Sequence, residues 1–242
     1  AGTDGVMSRF LQSNVNNTGR FEMAGGNLQG SIQLQPGGRF DISGGTFVGS
    51  VFNKDDNGGA NALYTQTGGT LNGNLSLRAG GLTDVNTATI TNGALNGNIT
   101  LGGISSFAPP TRRGAGRMDM SGGTITSTTI TVGAYHAGTV SAANGFWNQT
   151  GGTTSVGTLT LYPGTTYVDT NPAAPDYSGV QGAQMFKVVA PATMTFTGPG
   201  MAVGASDGTT GWLIDPADWN TSGSLIFAPS TAIQQTLLAF GT

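Results

Sequence analysis

The chain has 242 residues, a net charge of −3 and no cysteine; glycine occupies 42 positions, and only 9% of residues are charged. Two lysines and seven arginines are scattered along it, so the sequence lacks a basic patch that could neutralise nucleic-acid phosphates. The lack of cysteine excludes disulfides and thiolate metal sites. No apolar run approaches the roughly 18 residues of a helical membrane span. A nucleic-acid partner is therefore not predicted from the charges, and a membrane span is not predicted from the apolar runs.

Residues 1–19 precede the first repeat of the sequence. They include the apolar residues Val6, Phe10 and Leu11, which could cover the end of a stack of strands. This segment is therefore predicted to be a cap or an extra strand.

A Gly-Gly pair recurs through residues 20–161 at intervals of roughly 20–30 residues, which is the range of solenoid repeats. Apolar or bulky residues recur two and four places before the pair and three places after it, the period-two alternation of strands with one face inward. The pair predicts a sharp corner, because only glycine and, less readily, asparagine adopt such backbone angles cheaply. We therefore predict an all-β fold, a parallel β-helix (β-solenoid) of about six irregular coils. The pairs are Gly25-Gly26, Gly44-Gly45, Gly68-Gly69, Asn92-Gly93, Gly122-Gly123 and Gly151-Gly152.

Two columns of large side chains are predicted inside the stack if the repeats lie in register. The column before the corner comprises Phe21, Phe40, Tyr64, Met118 and Trp147. The column after the corner comprises Leu28, Phe47, Leu71, Leu95 and Ile125.

Charged residues recur on the opposite face of the first strand of some repeats. Parallel strands lie roughly 4.8 Å apart, so Arg20 is expected to face Arg39, while each arginine also has an acid nearby on its own strand and on the diagonal. The prediction is a checkered outer patch in which exposed pairs contribute about 0.2–1 kcal/mol each at best. The pairs at these positions are Arg20/Glu22, Arg39/Asp41 and Arg117/Asp119.

Two loops between repeats, at 102–116 and 133–145, are predicted to project from the strands. They carry aromatic and cationic side chains that could contact sugars: Phe107, Arg112, Arg113 and Tyr135. Ordinary solvated loop residues are the alternative explanation.

The Gly-Gly register stops after residue 161, and residues 162–242 are rich in proline. Short apolar runs separated by turn residues predict a smaller β-rich region here, either sandwich-like or capping. The chain ends on an apolar strand, which could pair with its own domain or with a neighbouring subunit. Its candidate assembly residues are Ile233, Leu237, Leu238 and Phe240.

No catalytic, cofactor or metal site is predicted, and the protein is not expected to be an enzyme. Glu22, Asp41 and Asp119 could supply the carboxylates of a polysaccharide-cleaving enzyme, but each follows an arginine by two places, and structural pairing explains them more simply. The acidic stretch 55–57 matches a solvated turn better than a calcium loop. His136, the single histidine, has no recognisable Ser and Asp partners for a triad.

Thr-x-Thr pairs are typical of ice-binding solenoids, which present a flat threonine array. Measured from the Gly-Gly corners, only the last two of four such pairs share an offset, so no long array is predicted. The pairs are Thr89/Thr91, Thr124/Thr126, Thr129/Thr131 and Thr158/Thr160.

The segment YTQTGGTL, residues 64–71, and its variants resemble the repeats of secreted bacterial β-solenoids, namely autotransporter passenger domains and filamentous-haemagglutinin-like surface proteins. The resemblance covers roughly residues 21–161. It implies a solenoid architecture and an extracellular or cell-surface location, and it brings no catalytic residues with it.

The function expected from these features is that of an extracellular structural protein. Because an uncapped coil exposes a full set of strand edges, copies are expected to join head to tail into a surface filament, fibre or sheath. The alternative is a monomeric cell-surface adhesin that binds surface glycans through its loops. A polysaccharide-active enzyme and an ice-binding protein rank behind these two.

Overall fold

A computed structural model of the protein describes residues 19–53, 61–78, 85–104, 113–136, 141–143, 145–161, 185–188, 190–203 and 224–227. These residues form strands, bends and turns, and none of them is helical. The described chain is therefore all-β, as predicted. Within it, no helix is long and apolar enough to cross a membrane.

Ten strands are described in the first half of the chain. In order they are β1 Arg20–Met23, β2 Asn27–Gln29, β3 Ile32–Leu34, β4 Arg39–Ile42, β5 Thr46–Val48, β6 Val51–Asn53, β7 Leu63–Asn72, β8 Leu75–Leu77, β9 Val85–Asn96 and β10 Ile99–Leu101.

Ten further strands are described in the second half. They are β11 Gly103–Ile104, β12 Arg113–Met120, β13 Thr124–Val132, β14 Ala134–His136, β15 Ser141–Ala143, β16 Gly145–Gln149, β17 Thr153–Leu161, β18 Met185–Val188, β19 Thr193–Val203 and β20 Ser224–Phe227.

Parallel pairing between successive repeats builds three ladders in one curled sheet. The first ladder, before each Gly-Gly corner, runs through β1, β4, β7, β9, β12, β16 and β18. The second, after the corner, runs through β2, β5, β7, β9, β13, β17, β19 and β20. The third runs through β3, β6, β8, β10, β13, β17 and β19. Long strands such as β7 therefore pass through the corner and serve two ladders.

The side chains that alternate inward from all three ladders form one apolar cluster. Both predicted columns lie in it, with Phe40 directly opposite Tyr64 and Phe47 directly opposite Leu71. The ring centroids of Phe40 and Phe47 are 5.4 Å apart in an edge-on arrangement, so the two columns touch each other. The predicted core is confirmed.

The Gly-Gly corners have the predicted backbone geometry. The second glycine of each pair has a positive φ, for example 79° at Gly45. A Cβ atom added to Gly45 would lie 2.3 Å from the carbonyl oxygen of Gly26 in the preceding repeat. Both the left-handed φ and the close stacking therefore require glycine at this position.

Buried polar side chains tie the first ladder to the second. Tyr64 Oη donates to Gln66 Oε1 at 2.9 Å, and Gln66 Nε2 donates to the carbonyl of Ala94 at 2.9 Å. Gln149 repeats the arrangement three strands further along the first ladder, where its Nε2 donates to the carbonyl of Thr193 at 3.2 Å. Burial raises the pKa of the Tyr64 phenol well above its usual value, so the hydroxyl remains protonated and available as a donor.

Two short antiparallel hairpins stand beside the ladders. In one, β11 pairs with the start of β12; in the other, β14 pairs with β15. The hairpins contact each other, and β15 also contacts β12. The described parts of the two loops that the sequence singled out, 102–116 and 133–145, therefore lie against each other.

Candidate functional site

The strands β1, β2 and β3 form an open edge of the described sheet. Each pairs on one side, with β4, β5 and β6 respectively, and no other described strand pairs with it. Phe21 and Leu28, at the ends of the two core columns, are only partly buried, whereas Phe40 and Phe47 one strand further in are fully buried. Among the described strands, β1, β2 and β3 thus have a pairing partner on one side only, and they carry partly exposed apolar side chains; residues 1–18, predicted to be a cap or an extra strand, lie outside the described residues.

A charged cluster lies on the outer face next to the open edge. Arg20 and Arg39 are direct neighbours in the parallel register, as predicted. Both arginines bind the carboxylate of Asp41 at 2.7 Å, and Arg20 also pairs with Glu22. The diagonal contact from Arg20 to Asp41 thus joins the first two strands of the ladder and offsets the repulsion between the two arginines.

The environment of Asp41 holds its pKa below the usual value for an aspartate. Partial burial acts to raise it, but hydrogen bonds from Arg39, Arg20 and Thr65 outweigh that effect. A carboxylate held ionised by two guanidinium groups is poorly suited to accept or donate a proton in catalysis. The geometry therefore favours a structural ion pair at this position.

The pair Arg117 and Asp119 departs from the exposed position expected for it. Arg117 is only 8% exposed; its Nε lies 2.6 Å from Asp119, and Asn148 Nδ2 donates to the same carboxylate at 3.1 Å. A second apolar cluster lies on this face of the first ladder, comprising Val85, Ala115 and Phe146. The outer face is thus covered at this end of the ladder and open at the Arg20 end.

The residues predicted to contact glycans fall partly within the described chain. Arg113 is in β12 and Tyr135 is in β14, so they lie on the two hairpins that contact each other. Phe107 and Arg112 lie outside the described residues, as do the candidate assembly residues Ile233, Leu237, Leu238 and Phe240.

His136 and the acidic stretch 55–57 are the other residues considered for a catalytic or metal site. His136 is placed in β14 opposite Ser141 of β15, and the acidic stretch 55–57 lies outside the described residues. Within the described ranges, no three His, Cys, Asp or Glu residues come close enough together to hold a metal ion.

The threonines align more extensively than their spacing in the sequence indicated. Thr129 and Thr131 lie opposite Thr158 and Thr160, as their shared offset predicts. The described strands contain no long array of Thr-x-Thr pairs, as predicted, but the register adds a run of three strands that includes a serine and a pair beyond residue 161. In the second ladder, the aligned pairs are Thr124/Thr126, Thr153/Ser155 and Thr193/Thr195.

No known protein family, curated protein or solved structure matches the chain.

Proposed function

We propose that the curled parallel sheet is a β-solenoid of about six irregular coils, and that the protein is an extracellular structural subunit. Copies of it join head to tail through strand edges into a surface filament, fibre or sheath. The open edge formed by β1, β2 and β3 is the observation that carries this proposal.

A strand of a neighbouring copy could pair with β1, β2 or β3 in the same parallel register that joins the interior strands. Unpaired backbone groups of an edge strand readily accept another strand. A neighbouring copy bound over Phe21 and Leu28 would also bury the parts of these two apolar side chains that are still in contact with water. This edge would meet a different surface of the next copy. Each added copy therefore leaves one binding surface free, and the filament continues to grow.

The other partner in the joint is proposed to be the apolar C-terminal strand, through Ile233, Leu237, Leu238 and Phe240. A strand with these residues could add to the sheet beside β1, β2 and β3 and cover the partly exposed side chains of Phe21 and Leu28. The extracellular location rests on the resemblance of YTQTGGTL and its variants to the repeats of secreted bacterial surface proteins, together with the low content of charged residues.

The test places a charge at the open edge. Leu28→Lys is expected to prevent polymerisation, because a lysine there would be buried against the next copy without a partner. The matched control is Asn96→Lys, which adds the same charge at an exposed position of an interior strand. Negative-stain microscopy and sedimentation velocity over a concentration series should show fibres for the wild type and the control, and soluble folded monomers for Leu28→Lys.

Discrete short rods of wild-type protein at micromolar concentration would overturn the proposal, as would fibres of Leu28→Lys. Deleting residues 233–242 tests the second half of the joint separately. If the shortened chain still polymerises while Leu28→Lys does not, the open edge is the joint and the terminal strand is not its partner.

The second candidate function is a monomeric adhesin for surface glycans, favoured by the contact between the two hairpins. Arg113 and Tyr135 lie on these neighbouring hairpins, and aromatic and guanidinium groups together are suited to contact sugar rings and their hydroxyls. Glycan-array binding that is lost in Tyr135→Ala and retained in Thr100→Ala, a change on the third ladder, would support this candidate.

A further inference from the structure

The outward side of the second ladder is a two-column array that we name the threonine face. The first column, aligned by the parallel register, is Asn27, Thr46, Thr70, Ala94, Thr124, Thr153 and Thr193. The second column is Gln29, Val48, Asn72, Asn96, Thr126, Ser155 and Thr195. The core column between them points inward, so both columns face away from the core.

The threonine face has no charged side chain at any of these positions, unlike the first ladder. Thr124, Thr126 and Thr153 are exposed, and Thr193 and Thr195 are partly exposed. Hydroxyl, methyl and amide groups therefore make up almost all of its chemistry. A surface of this composition has no electrostatic preference for an anionic or cationic partner, and it suits a neutral ligand that hydrogen-bonds in a repeating pattern.

The spacing of the array is fixed by the sheet. Neighbouring residues of one column are one strand apart, about 4.8 Å, and residues of the two columns are two residues apart along a strand, about 6.6 Å. Threonine is stiff at χ1 because it is β-branched, so its methyl and hydroxyl groups are already ordered before a ligand binds. In the second column, Asn96 Nδ2 donates to Asn72 Oδ1 at 2.9 Å, which holds these amides in line as well.

We propose that the threonine face binds ice. The lattice of ordinary ice repeats on the same scale as these two spacings, is neutral and hydrogen-bonds in every direction. A stiff array of hydroxyl and methyl groups can hold water in that arrangement, and the ordered layer then merges with the crystal. The strands β13, β17 and β19 supply the most regular part, Thr-x-Thr, Thr-x-Ser and Thr-x-Thr in adjacent positions.

A crystalline polysaccharide is the other neutral and periodic ligand. Such surfaces are usually held by aromatic rings that stack on the sugars, and neither column of the threonine face contains an aromatic residue. The array therefore favours ice over a polysaccharide. The proposal does not depend on end-to-end assembly, because the whole face lies on one chain.

The experiment compares two identical substitutions on different faces. Thr153→Tyr places a bulky ring at an exposed position in the middle of the regular part, whereas Thr87→Tyr places the same ring at a partly exposed position on the outward side of the first ladder, where Leu63 and Arg117 are its neighbours. Thermal hysteresis, ice-crystal shape and inhibition of ice recrystallisation are measured for both variants and the wild type, after circular dichroism confirms that their folds and melting temperatures agree.

The expected result is hysteresis and shaped ice crystals for the wild type and Thr87→Tyr, and loss of most of the activity in Thr153→Tyr. Should Thr153→Tyr fail to fold, Thr126→Val, which removes one hydroxyl from the second column, replaces it and should lower the activity. The proposal is overturned if the folded wild type neither shapes ice nor inhibits recrystallisation, or if both faces tolerate the tyrosine equally. Sedimentation of the wild type with crystalline cellulose or chitin, without any effect on ice, would also overturn it.

Discussion

The first and second ladders cover the same core but present very different outer surfaces. The first carries ion pairs, open to solvent around Arg20 and covered around Arg117. The second carries uncharged hydroxyl, amide and methyl groups along its whole described length. Because the strands of both ladders share one register and one core, the difference arises only at positions that alternate away from the core. Burial thus constrains one side of each strand and leaves the other side free for function.

The strongest test of the shared core is truncation of one large side chain in each ladder. Phe40 and Phe47 are both 0% exposed and pack against each other, so Phe40→Ala and Phe47→Ala should each lower the free energy of unfolding by about 3–5 kcal/mol. Phe21→Ala, at the partly buried end of the column, should cost clearly less. Chemical denaturation of the three variants measures these losses of unfolding free energy. If only one of Phe40→Ala and Phe47→Ala showed a small loss, the two ladders would not contribute equally to the core.

The corner that follows the second ladder should tolerate no side chain. A Cβ atom on Gly49 would lie 1.5 Å from the carbonyl oxygen of Gly30, and the φ of Gly49 is 140°. Overpacking and backbone strain together predict a loss of about 2–4 kcal/mol for Gly49→Ala. Gly25 is the matched control, since nothing lies within 4 Å of its added Cβ, and Gly25→Ala should stay within about 0.5 kcal/mol of the wild type. Equal melting temperatures for the two variants would contradict the stacking of these corners.

The hydrogen bonds that join the two ladders inside the core predict an intermediate effect. Tyr64→Phe removes the donor to Gln66 Oε1 and leaves that acceptor buried, which should cost about 1–3 kcal/mol. A double-mutant cycle with Gln66→Leu checks the reason, because the two changes should be clearly non-additive. Additive losses would mean that the tyrosine hydroxyl contributes nothing through the glutamine.

The smallest effect is expected on the outer face of the first ladder, as a dependence on pH. Asp41 has a lowered pKa in the folded state, so its stabilising contribution is fully present above the unfolded value of about 3.9 and is lost as the pH falls through the folded value. Asp41→Asn should therefore flatten the fall in unfolding free energy below about pH 4. Thr124→Val, on the uncharged second ladder, should leave that slope unchanged. If Asp41→Asn left this slope unaltered, the ion pairs of Asp41 would not contribute to the pH dependence of the unfolding free energy.

Much of the architecture was predictable from residues that repeat. The period-two alternation around each Gly-Gly pair placed Phe40 opposite Tyr64 and Arg20 opposite Arg39, and the structure has both pairs in register. These predictions succeeded because parallel stacking of similar repeats brings equivalent positions together, so a local pattern determines a distant contact. The outer surface was less predictable, since its residues need not repeat.

The sequence by itself determined the strands, the corners and the inward columns, because burial of apolar side chains and the backbone freedom of glycine act on each repeat alone. The tertiary structure decided which outward positions became covered and which became a regular surface. Arg117 is buried on the face where three repeats bring Val85, Ala115 and Phe146 together. Thr193 joins the column of Thr124 and Thr153, although no Gly-Gly pair precedes it, because β17 and β19 pair in parallel register. Without a Gly-Gly pair the sequence does not show where Thr193 aligns, and hydrogen bonding between the parallel strands determines it in the fold.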